Sequence, residues 1–288
     1  MGLLDVLKSK ASPEEDLKQL GVPLATCDFK CDTCEHPLPS SLKISADDDG
    51  ASLWKSMKPY EIHLLVSTGK NDWPHDACEV KGSVEHAVNE WKGCPPLTID
   101  PKVNVTSFPA ERSSVLIMPF FVWLKDVTPE NVGASLDKIV PELFEKREKG
   151  EKIEEYQDLL GDKSGVKVEV DHQNCYVFLC SHRTRDKRCG VSAPYMKKEF
   201  DMHLRDDGVY RDVGDTTPGG VMVGFTNHVG QHKWACNVLI YRKTDGELIW
   251  LARATPNSVG PIYEECVKQG KTFADYTRLV QKTKPVEW

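Results

Sequence analysis

VLIYRKTDGELIWLARATPNSVG, residues Val238 to Gly260, has the pattern of a strand, a hairpin turn, a second strand and the start of a helix. The Asp-Gly pair in the stretch from Thr244 to Glu247 is typical of a tight hairpin turn. Thr255 suits a helix cap, and Pro256 suits the first helical turn, where a missing N–H costs nothing. We expect this helix to end at Gly270.

The same order of signals occurs once earlier in the chain. VLIMPFFVWLKDVTPENVG, residues Val115 to Gly133, shares a VLI run, a Trp-Leu pair and a T-P-x-x-V-G helix start with the first segment. A shared VLI alone would be coincidence, but an ordered series that differs mainly in turn length favours duplication. We therefore predict an internal repeat.

Strands and a helix upstream of each hairpin complete the predicted fold. In the second copy these are a strand from Cys175 to Cys180, a helix near Tyr195 to Leu204 that starts at Ser192-Ala193-Pro194, and a strand from Val221 to Phe225. The order is β-α-β and then β-β-α, the arrangement of a thioredoxin-like domain. In the first copy the strand from His63 to Val66 matches the one that ends at Cys180.

A chain of 288 residues suits two modest domains, since domains commonly contain about 150 residues. Ser67 falls where the second copy has Cys180, so the first copy lacks that thiol, and the charged stretch Glu145 to Asp162 separates the halves. We predict an α/β fold of two thioredoxin-like halves. The predicted parts are an N-terminal tail or helix over residues 1–20, a first half over 21–160 and a second half over 165–288.

The composition is that of an ordinary globular protein, with 40% hydrophobic and 28% charged residues. A net charge of -7 gives no reason to expect nucleic acid or an anionic membrane as partner. No apolar run approaches the roughly 20 residues that span a bilayer, and the N-terminus lacks a signal-peptide pattern. We expect a cytoplasmic protein, with mitochondria as the less favoured location, in which ten cysteines favour metal ligation over a disulfide framework.

Two polar segments follow neighbouring predicted strands. CSHRTRDKRCG, residues Cys180 to Gly190, follows the first strand, and the loop with His228 and His232 follows the second. Carboxyl ends of parallel strands face the same side, so Cys180, Cys189, His228 and His232 can converge on a metal. Two thiolates and two imidazoles suit either zinc or a 2Fe-2S cluster, but eight residues between the cysteines exceed usual zinc-finger spacing.

The pattern C-S-H-R-x-R-D-x-R-C-G and the following HVGQHKWACNVLIY segment resemble the sucrase/ferredoxin-like family of thioredoxin-like 2Fe-2S ferredoxins. The resemblance covers most of the chain, including STGKNDW at Ser67 to Trp73. It implies that the second half is a ferredoxin domain that transfers single electrons. The implied cluster ligands are Cys180, Cys189, His228 and His232.

A cluster with two thiolate and two neutral histidine ligands carries less negative charge than one with four thiolates. Its reduction potential should therefore be higher, and protonation of exposed histidines can accompany reduction. We expect the basic side chains between the cysteines to stabilise the reduced state and attract an acidic partner. These are Arg183, Arg185, Lys187 and Arg188.

The chain has no flavin or nicotinamide fingerprint, so we expect a separate flavoprotein reductase and an electron acceptor as partners. We expect an electron carrier in redox or iron homeostasis instead of an enzyme. The alternatives are a redox- or iron-responsive binding protein and a zinc-stabilised thioredoxin-like domain. A thiol-disulfide oxidoreductase is disfavoured, because it would need Cys-x-x-Cys where the strand meets its helix.

Other cysteines have weaker signals. Cys27, Cys31 and Cys34 match the spacing of a radical-SAM cluster, but no series of βα units follows them. A zinc or redox role for these thiols, with His36, is the more plausible hypothesis. We predict packing roles for Cys78, Cys94, Cys175, Cys236 and Cys266.

The last three residues, Val286, Glu287 and Trp288, resemble the terminal signal that cytosolic iron-sulfur proteins present to the cytosolic assembly machinery. Val286 stands where that signal usually has Leu, Ile or Met. A terminal indole and carboxylate form a compact anchor for a pocket on a partner.

Overall fold

The structure is a computed structural model that describes residues 12–40, 52–110, 113–151, 161–163, 165–244 and 246–282. It begins with α1 (Pro13–Gln19), which is capped by reciprocal hydrogen bonds between Ser12 and Glu15. Within the described residues the strands join into one mixed sheet of twelve strands. The α/β class expected from the sequence is confirmed.

The N-terminal half of the sheet is built around a central strand that is buried throughout. Its strands are β1 (His63–Ser67), β2 (Lys102–Thr106), β3 (Ser114–Met118) and β4 (Val122–Lys125). Its helices are α2 (Val84–Glu90), between β1 and β2, and α3 (Val132–Glu148), after β4. β1 lies between parallel β2 and antiparallel β3, and β4 pairs with β3. A hairpin of β5 (Gly161–Lys163) and β6 (Val166–Val170) extends the sheet beyond β4.

The C-terminal half repeats this arrangement. Its strands are β7 (Cys175–Cys180), β8 (Tyr210–Arg211), β9 (Val221–Thr226), β10 (Val238–Arg242), β11 (Glu247–Leu251) and β12 (Thr277–Gln281). β7 lies between parallel β9 and antiparallel β10, and β11 pairs with β10. Trp250 pairs with Leu239 as Trp123 pairs with Leu116, so the two hairpins share one register.

The helices of this half lie at equivalent places in the chain. They are α4 (Lys187–Asp206), after β7, and α5 (Val259–Pro261), which follows a 3-10 turn (Pro256–Ser258) and continues as a π-helical turn (Ile262–Val267). Thr255 caps this last helical segment, and Gly270 follows it with a φ of 67°. The predicted start and end of the helix are therefore confirmed.

One residue pair joins the two halves of the sheet. Thr106 of β2 opposes Thr226 of β9 in an antiparallel bridge. Thr106 also pairs with Ser67 of the parallel strand β1. In the same way, Thr226 pairs with Cys180 of the parallel strand β7. Ser67 and Cys180 therefore occupy equivalent positions, as the alignment of the two halves predicted.

In each half of the sheet the helices cover one face, which is called the outer face. The opposite, inner faces of the two halves pack against each other. Leu64 on the outer face of β1 shares a core with Ile139 of α3. The next residue, Leu65, faces inward and shares a second core with Phe178 of β7. Phe108 lies between the halves, with its ring centroid 5.7 Å from that of Phe178. The halves are thus held together by a common apolar core.

The start of α4 differs from the prediction. The helix begins at Lys187 instead of Ser192, and Pro194 lies inside it. Asp186 provides the cap, because its side chain accepts a hydrogen bond from the backbone N–H of Arg188. Cys189 is consequently the third residue of a helix and is not on a wide loop.

Two segments pack across the predicted boundaries. Residues 21–40 were assigned to the first half, but Leu24 forms a β-bridge with Thr272, and the Phe29 ring stacks on Tyr276 with centroids 3.7 Å apart. β6 follows the predicted boundary at residue 165 but pairs with β4 of the first half. Long-range pairing decides both placements, and chain order alone does not reveal it.

Candidate metal centre

β7 and α4 bring the two cysteines of the central motif together. Cys180 is the last residue of β7, Cys189 lies in the first turn of α4, and neither side chain has exposed surface. Gly190 permits this close turn, because a Cβ there would overlap the side chain of Arg183. The segment between strand and helix is therefore tightly folded.

The two thiols interact directly. A hydrogen bond from the Cys189 thiol, followed by contact with His228, lowers the pKa of Cys180 to about 5 although the group is buried. Cys180 and Cys236 beside it, together with burial, raise the pKa of Cys189. The lowered pKa favours the thiolate form of Cys180, and thiolates are the form that binds metals.

His228 reaches the thiol pair from the loop after β9. Gly230 and Gln231 have φ values of 104° and 57°, so the loop is not helical between the two histidines. His232 begins a 3-10 helix (His232–Trp234), and its side chain lies outside the described part of the structure. The described side chains therefore bring together three of the four predicted ligands.

His182 supports His228 and was not singled out in the sequence. Its Nε2 lies 2.9 Å from the backbone oxygen of Trp73, and its Nδ1 accepts a hydrogen bond of 3.1 Å from the backbone N–H of His228. Ser181 donates to the backbone oxygen of Asn71 at 2.6 Å. The STGKNDW stretch thus supports the segment after Cys180, which gives that part of the resemblance a structural role.

The basic residues between the cysteines lie mainly at the surface. Arg183 and Lys187 are exposed, and Arg188 forms an ion pair with Asp186 at 2.9 Å. Arg185 donates to the backbone oxygen of His75. Solvent screens exposed charges, so these basic side chains have only a weak electrostatic effect on the thiols. Their main contribution is a basic surface near the site.

Cys236 was predicted to pack as a small hydrophobic residue, but it lies at the candidate site. Its thiol donates a hydrogen bond of 3.4 Å to the backbone oxygen of Arg188 and is adjacent to the Cys189 thiol. Strand pairing brings it there, because Cys236 lies two residues before Val238, which pairs with Leu179 next to Cys180.

Arg278 is a buried cation next to the same site. It has no exposed surface, and burial lowers its pKa to about 9. Electrostatic attraction to Cys180 acts in the opposite direction and raises the pKa. The guanidinium therefore stays charged at neutral pH. No local pattern in the sequence around Arg278 indicated this role.

Cys27, Cys31 and Cys34 lie apart from this site. Cys27 is exposed, Cys31 donates to the backbone oxygen of Asn257 at 3.2 Å, and burial raises the pKa of Cys34 to about 11. His36 Nδ1 lies 2.7 Å from the carboxylate of Glu199. Among the described side chains, no group of three or more His, Cys, Asp or Glu residues is arranged to hold a single metal ion.

In the described part of the chain, no helix combines the length and apolar character that crossing a membrane requires. Val286, Glu287 and Trp288 lie outside the described residues.

Comparisons with known proteins agree with the motif. Actin patches distal protein 1 of Saccharomyces cerevisiae is 37% identical over 251 residues, which cover 80% of this chain and 77% of that protein. Altered inheritance of mitochondria protein 32 is 34% identical over 110 residues in Meyerozyma guilliermondii and over 112 residues in Debaryomyces hansenii. These matches cover 38% of this chain in both cases, and 36% and 37% of the respective relatives.

No solved structure matches this chain. The sequence profile described as Sucrase/ferredoxin-like matches residues 53–279, which include both halves of the sheet and the candidate site. This chain therefore belongs to the sucrase/ferredoxin-like family.

Proposed function

We propose that the chain binds a 2Fe-2S cluster through Cys180, Cys189, His228 and His232 and carries single electrons. The observation that carries this proposal is the contact of the Cys180 side chain with both Cys189 and His228. Family membership supports a redox role.

The described donors, two cysteines and one histidine, are of the types that a 2Fe-2S cluster uses. A 2Fe-2S cluster would take four protein ligands, which Cys180, Cys189, His228 and His232 would supply as two thiolates and two imidazoles. A zinc ion would accept the same four donors, so analysis of iron, sulfide and zinc separates the two sites. The closed tetrahedral zinc sites of proteins need four protein ligands.

When bound, the cluster supplies reversible one-electron chemistry. The protein contributes a hydrogen bond from the Cys189 thiol that lowers the pKa of Cys180 and so favours its thiolate form. Burial of both cysteines excludes water from that side of the site. Two imidazole ligands leave the site less anionic than four thiolates would, which raises the reduction potential, and the imidazoles offer a place for a proton to accompany the electron.

We further propose that each half of the sheet is a thioredoxin-like unit. In both halves a β-α-β unit precedes a β-β-α unit, with the first strand between a parallel and an antiparallel neighbour. A dithiol oxidoreductase remains disfavoured, because eight residues separate Cys180 from Cys189, whereas such an enzyme would need a Cys-x-x-Cys motif. The N-terminal half has Ser67 at the equivalent position and acts as scaffold or docking surface.

The proposed partners are a flavoprotein reductase, an electron acceptor and the cytosolic iron-sulfur assembly machinery, which the C-terminal Val286, Glu287 and Trp288 would engage. The proposed location is accordingly the cytosol. The exposed Arg183 and Lys187 favour an acidic partner surface near the cluster.

The test is anaerobic purification followed by a visible spectrum and analysis of iron, sulfide and zinc. The wild type should contain about two irons and two sulfides per chain, and Cys180→Ser should lose them with the colour. Cys175→Ser is the matched control, because Cys175 is buried at the opposite end of the same strand. A colourless wild type with one zinc would refute the proposal and favour a structural metal domain.

A further inference from the structure

Arg278 lies at an irregularity in the edge of the sheet. Thr277 pairs with Leu251 and Leu279 pairs with Trp250, so the register shifts and leaves Arg278 as the extra residue of a β-bulge. Bulges redirect a side chain without interrupting the sheet, and they are common beside functional sites. Here the bulge accompanies a guanidinium that is fully buried beside Cys180.

The guanidinium connects the two segments that carry the proposed ligands. Nη1 donates 2.9 Å to the backbone oxygen of Gly230, between the two histidines, and 2.8 Å to Oδ1 of Asn237. The backbone oxygen of Asn237 accepts a hydrogen bond of 3.1 Å from the N–H of Cys180. Arg278 therefore links the histidine loop to the end of β7 through one intervening residue.

Further contacts hold the guanidinium in place. Nε donates 3.0 Å to the hydroxyl of Ser56, and the group lies 4.6 Å from the Trp234 ring centroid and 5.4 Å from that of Trp250. Nη2 is buried but has no acceptor within the described ranges. A buried donor without a partner is costly, so an acceptor that completes this site is expected beside it.

We propose that Arg278 would donate a hydrogen bond from Nη2 to a sulfur atom of the cluster and would raise the cluster's reduction potential. The inference rests on the function proposed above. Reduction adds one negative charge, and a nearby buried cation stabilises that charge with little screening by solvent. The links to Gly230 and Asn237 also place His228 relative to Cys180.

The test is a redox titration of the purified holoprotein, followed by electron paramagnetic resonance of the reduced cluster. Arg278→Gln should shift the ratio of reduced to oxidised cluster about tenfold toward the oxidised form, or about 59 mV for one electron. Arg278→Lys should stay closer to the wild type, because it keeps the charge. Arg205→Gln is the control, since it removes an equal but exposed charge in the last turn of α4, at the opposite end of that helix from Cys189.

The inference would be overturned if the reduction potential of Arg278→Gln equalled that of the wild type. It would also be overturned if the potential fell as far in Arg278→Lys as in Arg278→Gln. If Arg278→Gln does not fold, the test is electron paramagnetic resonance of wild-type protein labelled with ¹⁵N-arginine. A weak ¹⁵N coupling to the reduced cluster is expected, and its absence would overturn the hydrogen bond. A wild type without iron and sulfide would instead refute the proposed function, so the two failures are distinguishable.

Discussion

His63 Nδ1 lies 2.6 Å from the hydroxyl oxygen of Tyr241, across the interface between the two halves of the sheet. The other ring nitrogen lies 2.9 Å from Oδ1 of Asn104, and the Tyr241 hydroxyl also contacts that of Tyr60 at 2.8 Å. A neutral imidazole satisfies these partners by donating to Asn104 and accepting from Tyr241. Burial lowers the pKa of His63 to about 3.

This pKa predicts that the protein loses stability in acid. The unfolded chain binds a proton at His63 near pH 6.5 but the folded chain does not, so stability falls as the pH decreases from about 6.5 toward 3. Because of His63, the free energy of unfolding at about pH 5 should be about 2 kcal/mol lower than at pH 7. Urea unfolding at both pH values measures it.

The control for this prediction is His63→Gln, which keeps polar atoms at the interface but cannot titrate. Its free energy of unfolding should depend less on pH than that of the wild type, by about the same 2 kcal/mol. Equal pH dependence in the two proteins would mean that His63 does not cause the loss.

Replacing either histidine ligand with cysteine should retain a cluster but change its chemistry. His228→Cys or His232→Cys adds a negative thiolate, so the reduction potential should fall by on the order of a hundred millivolts. The pH dependence of the potential should weaken, since one titrating imidazole is lost. Redox titrations at several pH values provide the measurement, and an unchanged potential would remove that histidine from the ligand set.

Cys236 should support the site without ligating the cluster. Cys236→Ser keeps a donor for the backbone oxygen of Arg188, so iron and sulfide content should match the wild type. Cys189→Ser should lose most of both, because it removes a ligand. Metal and sulfide analysis of the two variants decides the assignment, and comparable loss in Cys236→Ser would make Cys236 a ligand.

The C-terminal residues provide a prediction about maturation in cells. Deletion of Trp288 should lower the fraction of chains that carry a cluster without changing the circular dichroism spectrum. An alanine added after Trp288 should have the same effect, because it moves the terminal carboxylate away from the indole. Full occupancy in both variants would show that these residues are not a maturation signal.

Much of the fold could be read from short stretches of sequence. The hairpin between β10 and β11, the cap at Thr255 and the helix end at Gly270 are present as predicted. The equivalence of Ser67 and Cys180 also follows from the repeat. The predicted start of α4 at Ser192 is wrong, because Pro194 is a stronger local start signal than Asp186.

The candidate site, like the fold, could be predicted from the sequence only in part. The sequence selected Cys180, Cys189, His228 and His232, because these residues lie at or after the ends of two neighbouring predicted strands. Only the tertiary structure placed Cys236 beside Cys189 and Arg278 beside Cys180. Turns, caps and strand ends depend on residues that are near in the chain, whereas these contacts depend on strand pairing and on a bulge in β12, which bring distant residues together.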